Sequence, residues 1–337
     1  MQFGRKLSIG TAVIAMVLSV NFTSFASVDV DLNYVKELTA LQSRMAEYII
    51  EMQGNNLVNT EDGRTVMMNK HGYIQKGWSF DSNGDLYYTP CDSLFSSTES
   101  DYNIIRDAEY NSLYFDSTGK FVNPALDTEG KFTDKLAEFA RGGVITLASD
   151  KECKEFIEVY HLSYNIYSGG LSFRRDYLGD GSVRIRIDDK YIFDYDSARD
   201  KIINTFGKLQ SQTVGEKVTE ATQKVRCIEY DLKYRGCNID TVLENMSGVC
   251  SHYCNIVKVL LQDAGVEVEV VHGSTGVNQS ISDMDLTHVW LRCKNEDGRW
   301  IYVDPTLESS LYENDYLDIN YSLVCNRYIP HPIRYQQ

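Results

Sequence analysis

Three residues in the C-terminal half of the chain have the types that a thiol enzyme needs. Cys250, His288 and Asp304 follow one another in that order. A cysteine thiolate can attack an amide carbonyl, a histidine can take up and return the proton, and a carboxylate can fix the imidazole tautomer and stabilise the imidazolium. These residues therefore predict a nucleophile, its base and an orienting group, provided that folding brings them together.

The sequence around Cys250 predicts that this residue begins a helix. Cys250 follows Ser247-Gly248-Val249 and precedes an apolar-periodic run, Ile256 to Leu261, that ends before Gly265. The unpaired N–H groups and the positive dipole end of a helix start stabilise a thiolate. The Cys250 N–H would also be placed to donate to an oxyanion that develops on the substrate.

His288 and Asp304 are predicted to lie on the two arms of one β-hairpin. Strand-like segments flank the turn Asn295–Gly298. A hairpin centred on Asp297 places His288 opposite Thr306 and Asp304 two residues nearer the turn, on the same face. A carboxylate at that position can hydrogen-bond the imidazole.

The motifs that surround these residues resemble a known family. Matching elements occur in family order over the stretch from about Val214 to Leu307: Tyr230-Asp231, Gly248-Val249-Cys250, Ala264-Gly265-Val266, His288-Val289-Trp290, and Trp300 followed by Asp304-Pro305-Thr306. This stretch resembles a bacterial transglutaminase-like domain. The resemblance implies a papain-like α+β core, with a nucleophile-bearing helix packed on an antiparallel sheet, and a Cys250–His288–Asp304 triad. Cys254, where the family usually has alanine, and Leu291, where asparagine is common, depart from the pattern without removing a triad member.

Neighbouring residues have competing interpretations. Tyr230 is either a second oxyanion donor or a core tyrosine, and Trp290 and Trp300 are either core residues or walls of a substrate pocket. A zinc site built from Cys250, His252 and Cys254 is disfavoured, because residues two apart on a helix diverge and no Cys-x-x-Cys pair is present. Cys254 is interpreted as a packed residue. The sequence predicts neither a metal nor a cofactor.

The N-terminal part of the chain predicts export followed by an accessory region. Residues 1–26 combine Arg5 and Lys6, an apolar run and a Ser24-Phe25-Ala26 cleavage site, which is typical of a signal peptide. The alternative is an uncleaved N-terminal membrane anchor, which is disfavoured because the run is shorter than a membrane-spanning helix needs; no later segment is apolar enough to cross a bilayer. The mature chain would begin near Ser27 and be secreted or associated with the cell surface.

The remaining chain divides into two predicted regions. Residues 27–135 form an accessory region with an amphipathic helix, Leu32 to Gln53, and β-hairpins. Residues 136–337 form the catalytic domain, with an α/β lead-in and a core at 214–307.

The hairpins at residues 72–88 and 113–120 resemble, weakly, the repeats of Gram-positive cell-wall-binding modules. The alternative is that they are ordinary hairpins whose Tyr and Trp rings fill a local core. The run Asp81–Asp85 resembles the start of a calcium loop but lacks the glycine at position six and the distal glutamate, so a calcium site is rejected.

The composition of the chain limits the classes of partner that it can bind. The chain of 337 residues has a formal net charge of −15, which disfavours nucleic acid as a partner. Its eight cysteines are sparse and lie in apolar segments, unlike a disulfide scaffold. The chain is thus predicted to be a secreted cysteine enzyme that acts on protein or peptide substrates, including cell-wall peptides, by hydrolysis or acyl transfer. The alternative is a non-catalytic surface-binding protein that keeps the fold.

Overall fold

The computed structural model describes residues 28–90, 103–110, 113–122, 130–165, 170–275, 288–306 and 328–330. The predicted signal peptide, Cys91 and Cys325 lie outside these ranges. Among the residues described, no helix combines the length and apolarity that a bilayer crossing requires. The described chain mixes helices with antiparallel sheets, so the α+β prediction is confirmed.

The N-terminal part contains one long helix and three small antiparallel sheets. The helix has the predicted bounds, and Gly54 follows it with a φ of +53°. The elements are α1 Leu32–Gln53, β1 Asn56–Asn59, β2 Thr65–Met68, β3 Gly77–Phe80, β4 Leu86–Thr89, β5 Ala108–Tyr110, β6 Leu113–Phe115 and β7 Phe121–Val122. They pair as β1-β2, β3-β4 and β5-β6-β7.

A small α/β unit follows, with its own apolar core. Its antiparallel sheet has Val183–Ile187 (β10) in the centre, between Ile145–Leu147 (β8) and Phe173–Tyr177 (β9), and inward and outward residues alternate along β10. Phe139, Phe156 and Tyr160 pack edge to face inside the unit. The elements are α2 Thr133–Ala140, β8 Ile145–Leu147, α3 Asp150–Tyr160 with a π-helical turn His161–Asn165, β9 Phe173–Tyr177 and β10 Val183–Ile187.

The C-terminal part is a helical layer on a four-stranded antiparallel sheet of order β15-β14-β13-β16. A short parallel pair, β11 and β12, lies beside it. The elements are α4 Tyr195–Phe206, α5 Val214–Lys224, β11 Glu229–Tyr230, α6 Ile239–Asn245, β12 Ser247–Gly248, α7 Cys250–Asp263, β13 Val268–Thr275, β14 His288–Lys294, β15 Trp300–Val303 and β16 Tyr328–Pro330.

The sheet is covered on both faces. One face, which includes Val270, Leu291 and Val303, packs on α7 in the largest apolar cluster. The other face presents Val271, Trp290 and Tyr302 to the hairpins, where they share a second cluster with aromatic residues from β3, β4, β6 and β7. The N-terminal part also contacts the helical layer, because Thr39 of α1 bonds Thr219 of α5 at 2.7 Å.

Three aromatic rings on the strands of the first hairpin are therefore core residues, whereas Tyr73, before β3, is exposed. Trp78, Tyr87 and Tyr88 are 9%, 1% and 2% exposed, which leaves little ring surface for a ligand. Their environment matches the local-core interpretation of the hairpins.

One type of turn closes hairpins throughout the chain. In Asn69–Tyr73, Asp81–Asp85, Asp116–Lys120 and Asn295–Arg299, the first side chain accepts backbone N–H bonds from the third and fifth residues. The fourth residue is a glycine with positive φ in each case. Because the same turn closes the β14–β15 hairpin, it is not specific to an accessory module.

The turn between β3 and β4 docks on β15. The Trp300 N–H donates to the Asn83 carbonyl at 3.0 Å, and the Tyr302 hydroxyl donates to the Gly84 carbonyl at 2.8 Å. A Cβ at Gly84 would lie 2.4 Å from the Trp300 carbonyl oxygen. This turn therefore supplies a hydrogen-bond acceptor to the edge strand β15, and glycine is required for its close approach.

Gly84→Ala is expected to destabilise the protein more than Gly72→Ala. Both glycines occupy the fourth position of the turn, with φ of +74° and +82°, but a Cβ at Gly72 meets no atom within 4 Å. Gly72→Ala should cost about 1 to 2 kcal/mol for the left-handed backbone. Gly84→Ala should cost about 1 to 3 kcal/mol more, from overpacking.

Urea denaturation curves give both free energies of unfolding. Equal losses in the two variants would show that the turn does not dock tightly on β15.

Candidate active site

The backbone before α7 places Cys250 at the start of the helix, as predicted. Met246 ends α6 in the left-handed conformation, β12 pairs with β11, and Val249 is extended, with φ −123° and ψ 177°. Cys250 is the first residue of α7, half-buried, with a free thiol. Its position leaves its N–H without an acceptor in the helix.

His288 and Asp304 are hydrogen-bonded to each other. The distance from His288 Nε2 to Asp304 Oδ2 is 2.6 Å, and Asp304 Oδ1 accepts the Thr306 N–H at 2.9 Å. Both oxygens of this carboxylate, which is 1% exposed, thus have partners. The β14–β15 register pairs Leu291 with Val303; continued along the arms, it sets His288 opposite Thr306, as the sequence predicts.

The Cys250 thiol completes the group by hydrogen-bonding the His288 ring. Burial opposes protonation of His288, but the hydrogen bonds and negative charges of Asp304 and Cys250 outweigh it and raise the pKa of His288 to about 10. Because Asp304 occupies Nε2, Nδ1 is the ring nitrogen that can serve the thiol. The raised pKa keeps His288 protonated near neutral pH, and a cation beside the thiol stabilises the thiolate that attack on an amide requires.

The two tryptophans occupy different parts of the hairpin. Trp290 is 1% exposed and stacks behind His288, with 6.3 Å between ring centroids and 22° between planes. Trp300 pairs with Lys294 at the turn end of the hairpin, about 20 Å along the strand from His288. Its ring faces the Arg292 guanidinium at 4.1 Å. Trp290 therefore supports the imidazole from behind, and the structure does not bring Trp300 to the site.

Tyr230 lies beside the nucleophile. It pairs with Gly248 across β11 and β12, two residues before Cys250. Burial, and then the negative charges of Cys250 and Asp304, raise the pKa of Tyr230, so its hydroxyl keeps its proton and can donate. This is the environment that the oxyanion-donor hypothesis requires.

The other residues of the helix start are engaged elsewhere. Cys254 is fully buried and its Sγ donates to the Val289 carbonyl at 3.2 Å, as expected of a packed residue. His252 uses both ring nitrogens on backbone groups. Within the described ranges, no three side chains of metal-ligating type are arranged to hold an ion.

From the sequence, His252 is interpreted only as a candidate zinc ligand, and its structural role is not predicted. The available signal was its position: the third residue of a helix is where a side-chain acceptor can reach back to the N–H of the capping residue.

Comparison with known proteins finds a matching family and similar solved structures. Residues 201–305 match the Transglutaminase-like superfamily. A crystal structure of a TGase aligns at 15% identity and a TM-score of 0.28, over 52% of this chain and 53% of that chain. A structure described as a candidate protease from Parabacteroides distasonis aligns at 14% identity and a TM-score of 0.26, over 40% of this chain and 36% of that one. This chain thus spans about half of the first structure and about a third of the second. No curated protein matches the sequence.

Iodoacetamide near pH 7 is expected to alkylate Cys250 faster than Cys227, an exposed free thiol of the same chain. Two causes act together: the protonated His288 stabilises the Cys250 thiolate, and burial raises the pKa of the Cys227 thiol to about 11. His288→Ala should slow labelling of Cys250 by about tenfold or more and leave Cys227 unchanged. Peptide mapping after timed quenching yields both rates from one sample. An unchanged Cys250 rate in the variant would contradict the ion pair.

Proposed function

Since residues 201–305 of this chain belong to the transglutaminase-like superfamily, we propose that the protein is a cysteine enzyme that opens peptide or glutaminyl amide bonds through a thioester. The observation that carries the proposal is the hydrogen-bonded series from the Cys250 thiol through His288 to Asp304. Such a series is what a thiol nucleophile, its base and an orienting carboxylate require.

The reaction follows from these groups. The Cys250 thiolate attacks the amide carbonyl, and a C–S bond forms while the negative charge moves to the carbonyl oxygen. His288 then gives its proton to the nitrogen, the C–N bond breaks, and an amine or ammonia leaves. In the second half, water or a primary amine attacks the thioester and passes a proton to His288. The thiolate departs, and an acid or a new amide is released.

Hydrolysis and acyl transfer use the same three residues. They differ in whether water or an amine reaches the thioester first. The outcome depends on how well the residues around Cys250 exclude water and admit an amine. The proposal therefore covers both outcomes, and one assay distinguishes them.

Incubation with a fluorescent primary amine and a glutamine-containing protein is expected to give a product that depends on Cys250. Mass spectrometry of the protein shows either incorporated amine, which indicates acyl transfer, or deamidation or cleavage, which indicates hydrolysis. Cys250→Ser should lower either rate by about 10⁴-fold or more, because the nucleophile is lost. Cys227→Ser, at an exposed free thiol, is the matched control and should retain full activity. If no product depends on Cys250, the enzyme proposal fails and the surface-binding alternative gains support.

We further propose that the enzyme is exported and acts on surface proteins or cell-wall peptides. Support comes from the signal-peptide pattern of residues 1–26 and from Val28, just after the cleavage site, whose carbonyl accepts a hydrogen bond from Lys224 Nζ at 2.8 Å. The chain thus packs on the catalytic core directly after the predicted leader. Wall binding through the first hairpin is not part of this proposal, because Trp78, Tyr87 and Tyr88 are buried.

The full-length chain expressed in a bacterium is expected to appear outside the cytoplasm with its N-terminus near Ser27. N-terminal sequencing of the extracellular protein measures this, and a chain that lacks residues 1–26 should stay inside the cell. Recovery of full-length protein only from the cytoplasm would contradict export.

A further inference from the structure

We propose that His252 is a positioning residue that holds the two candidate oxyanion donors, the Cys250 N–H and the Tyr230 hydroxyl, in place for acyl transfer. The inference rests on the proposed function and assigns a role to a histidine outside the Cys–His–Asp series. It starts from two hydrogen bonds, which fix the imidazole to two separate chain segments.

The first bond fixes the peptide that leads into the nucleophile. His252 Nδ1 accepts the Val249 N–H at 3.0 Å, within a buried environment. The Val249 N–H belongs to the Gly248–Val249 peptide, so this bond fixes the peptide directly before the one whose N–H belongs to Cys250. A histidine at the third helical position thereby does what Glu or Gln does in a capping box.

The second bond fixes the loop that carries Tyr230. His252 Nε2 donates to the Cys237 carbonyl at 3.0 Å. The other end of this loop is held where the Asp231 N–H donates to the Gly248 carbonyl at 3.0 Å. The segment from Tyr230 to Cys237 is thus fastened at both ends to the residues around Cys250.

This double role requires a neutral ring and a glycine beside it. Burial lowers the pKa of His252, which keeps Nδ1 free of a proton and able to accept. A Cβ at Gly248 would lie 3.0 Å from His252 Cβ and 3.1 Å from Nδ1. The close approach of the ring to β12 therefore depends on glycine at this position.

The geometry separates oxyanion stabilisation from thiol activation. His252 bonds only backbone groups of Val249 and Cys237, while the thiol is served by His288. Alkylation of Cys250 by iodoacetamide needs the thiolate but forms no oxyanion, whereas acylation by an ester or amide needs both. Loss of His252 should affect the two reactions differently.

Three variants test this in the full-length protein, with p-nitrophenyl acetate as the acyl donor and iodoacetamide as the alkylating probe. His252→Ala removes both bonds and should lower the acylation rate constant about 10- to 100-fold, while the alkylation rate changes less than about threefold. His252→Gln can accept from Val249 and donate to Cys237, so it should restore acylation to within about threefold of the native rate. His252→Glu can only accept, and should fall below His252→Gln.

The control is His272→Gln, at another buried histidine, on β13, where burial lowers the pKa to about 3. It tests whether changing any buried histidine produces the same effect, and it should retain native acylation. If His252→Ala fails to fold, as judged by circular dichroism, the contrast between His252→Glu and His252→Gln carries the test.

Equal acylation by all three His252 variants, or a parallel fall in acylation and alkylation, would overturn the positioning role. A p-nitrophenol burst that Cys250→Ser leaves intact would instead refute the proposed function itself.

Discussion

The packing of α7 on one face of the β13–β15 sheet is the interaction on which the site depends, because the nucleophile belongs to the helix and its partners belong to the sheet. Ile256, Val257 and Leu260 of α7 share an apolar cluster with Val270, Leu291 and Val303 of the sheet. Burial of each large aliphatic side chain contributes about 1.5 to 3 kcal/mol. A slip of the helix by one turn, about 5.4 Å, would break this packing and carry the Cys250 thiol out of reach of His288.

The opposite face of the sheet fixes the histidine. Trp290 stacks on His288 and belongs to the same cluster as Trp78 and Tyr88 of the first hairpin. Arg292, on this face, pairs with Glu269 at 2.6 Å in a buried setting. The N-terminal hairpins therefore form the wall behind the imidazole, and the boundary predicted at residue 135 separates regions that share a core. A second role of the hairpins in binding a cell wall stays a prediction.

The sequence predicts those parts of the site that depend on residues close together in the chain. The turn at Asn295–Arg299 fixes the hairpin register, so counting along its arms placed His288 and Asp304 correctly. The periodic spacing of apolar residues predicts that α7 begins at Cys250. The same count places Trp300, which directly follows the turn, far along the hairpin from His288, and the structure agrees.

The features that were missed depend on contacts between distant segments. One hydrogen-bond partner of His252 is the carbonyl of Cys237, fifteen residues earlier along the chain. No periodic pattern in the sequence indicates this contact. Likewise, Trp78 is buried in a cluster that includes Trp290 of the docked sheet, a residue more than 200 positions later in the chain.

The charges of the site explain why preorganised donors matter in the proposed reaction. Asp304 is buried, and its two oxygens are engaged by His288 and the Thr306 N–H. With an imidazolium between this carboxylate and the Cys250 thiolate, the group holds one excess negative charge, which the helix N-terminus helps to stabilise. During attack that charge leaves sulfur for the carbonyl oxygen, a few ångströms away, and donors in fixed positions stabilise it there without reorganisation. The backbone around Cys250 and the Tyr230 loop must therefore be rigid before substrate arrives, which a buried histidine with two backbone bonds provides without altering the charge on the thiol.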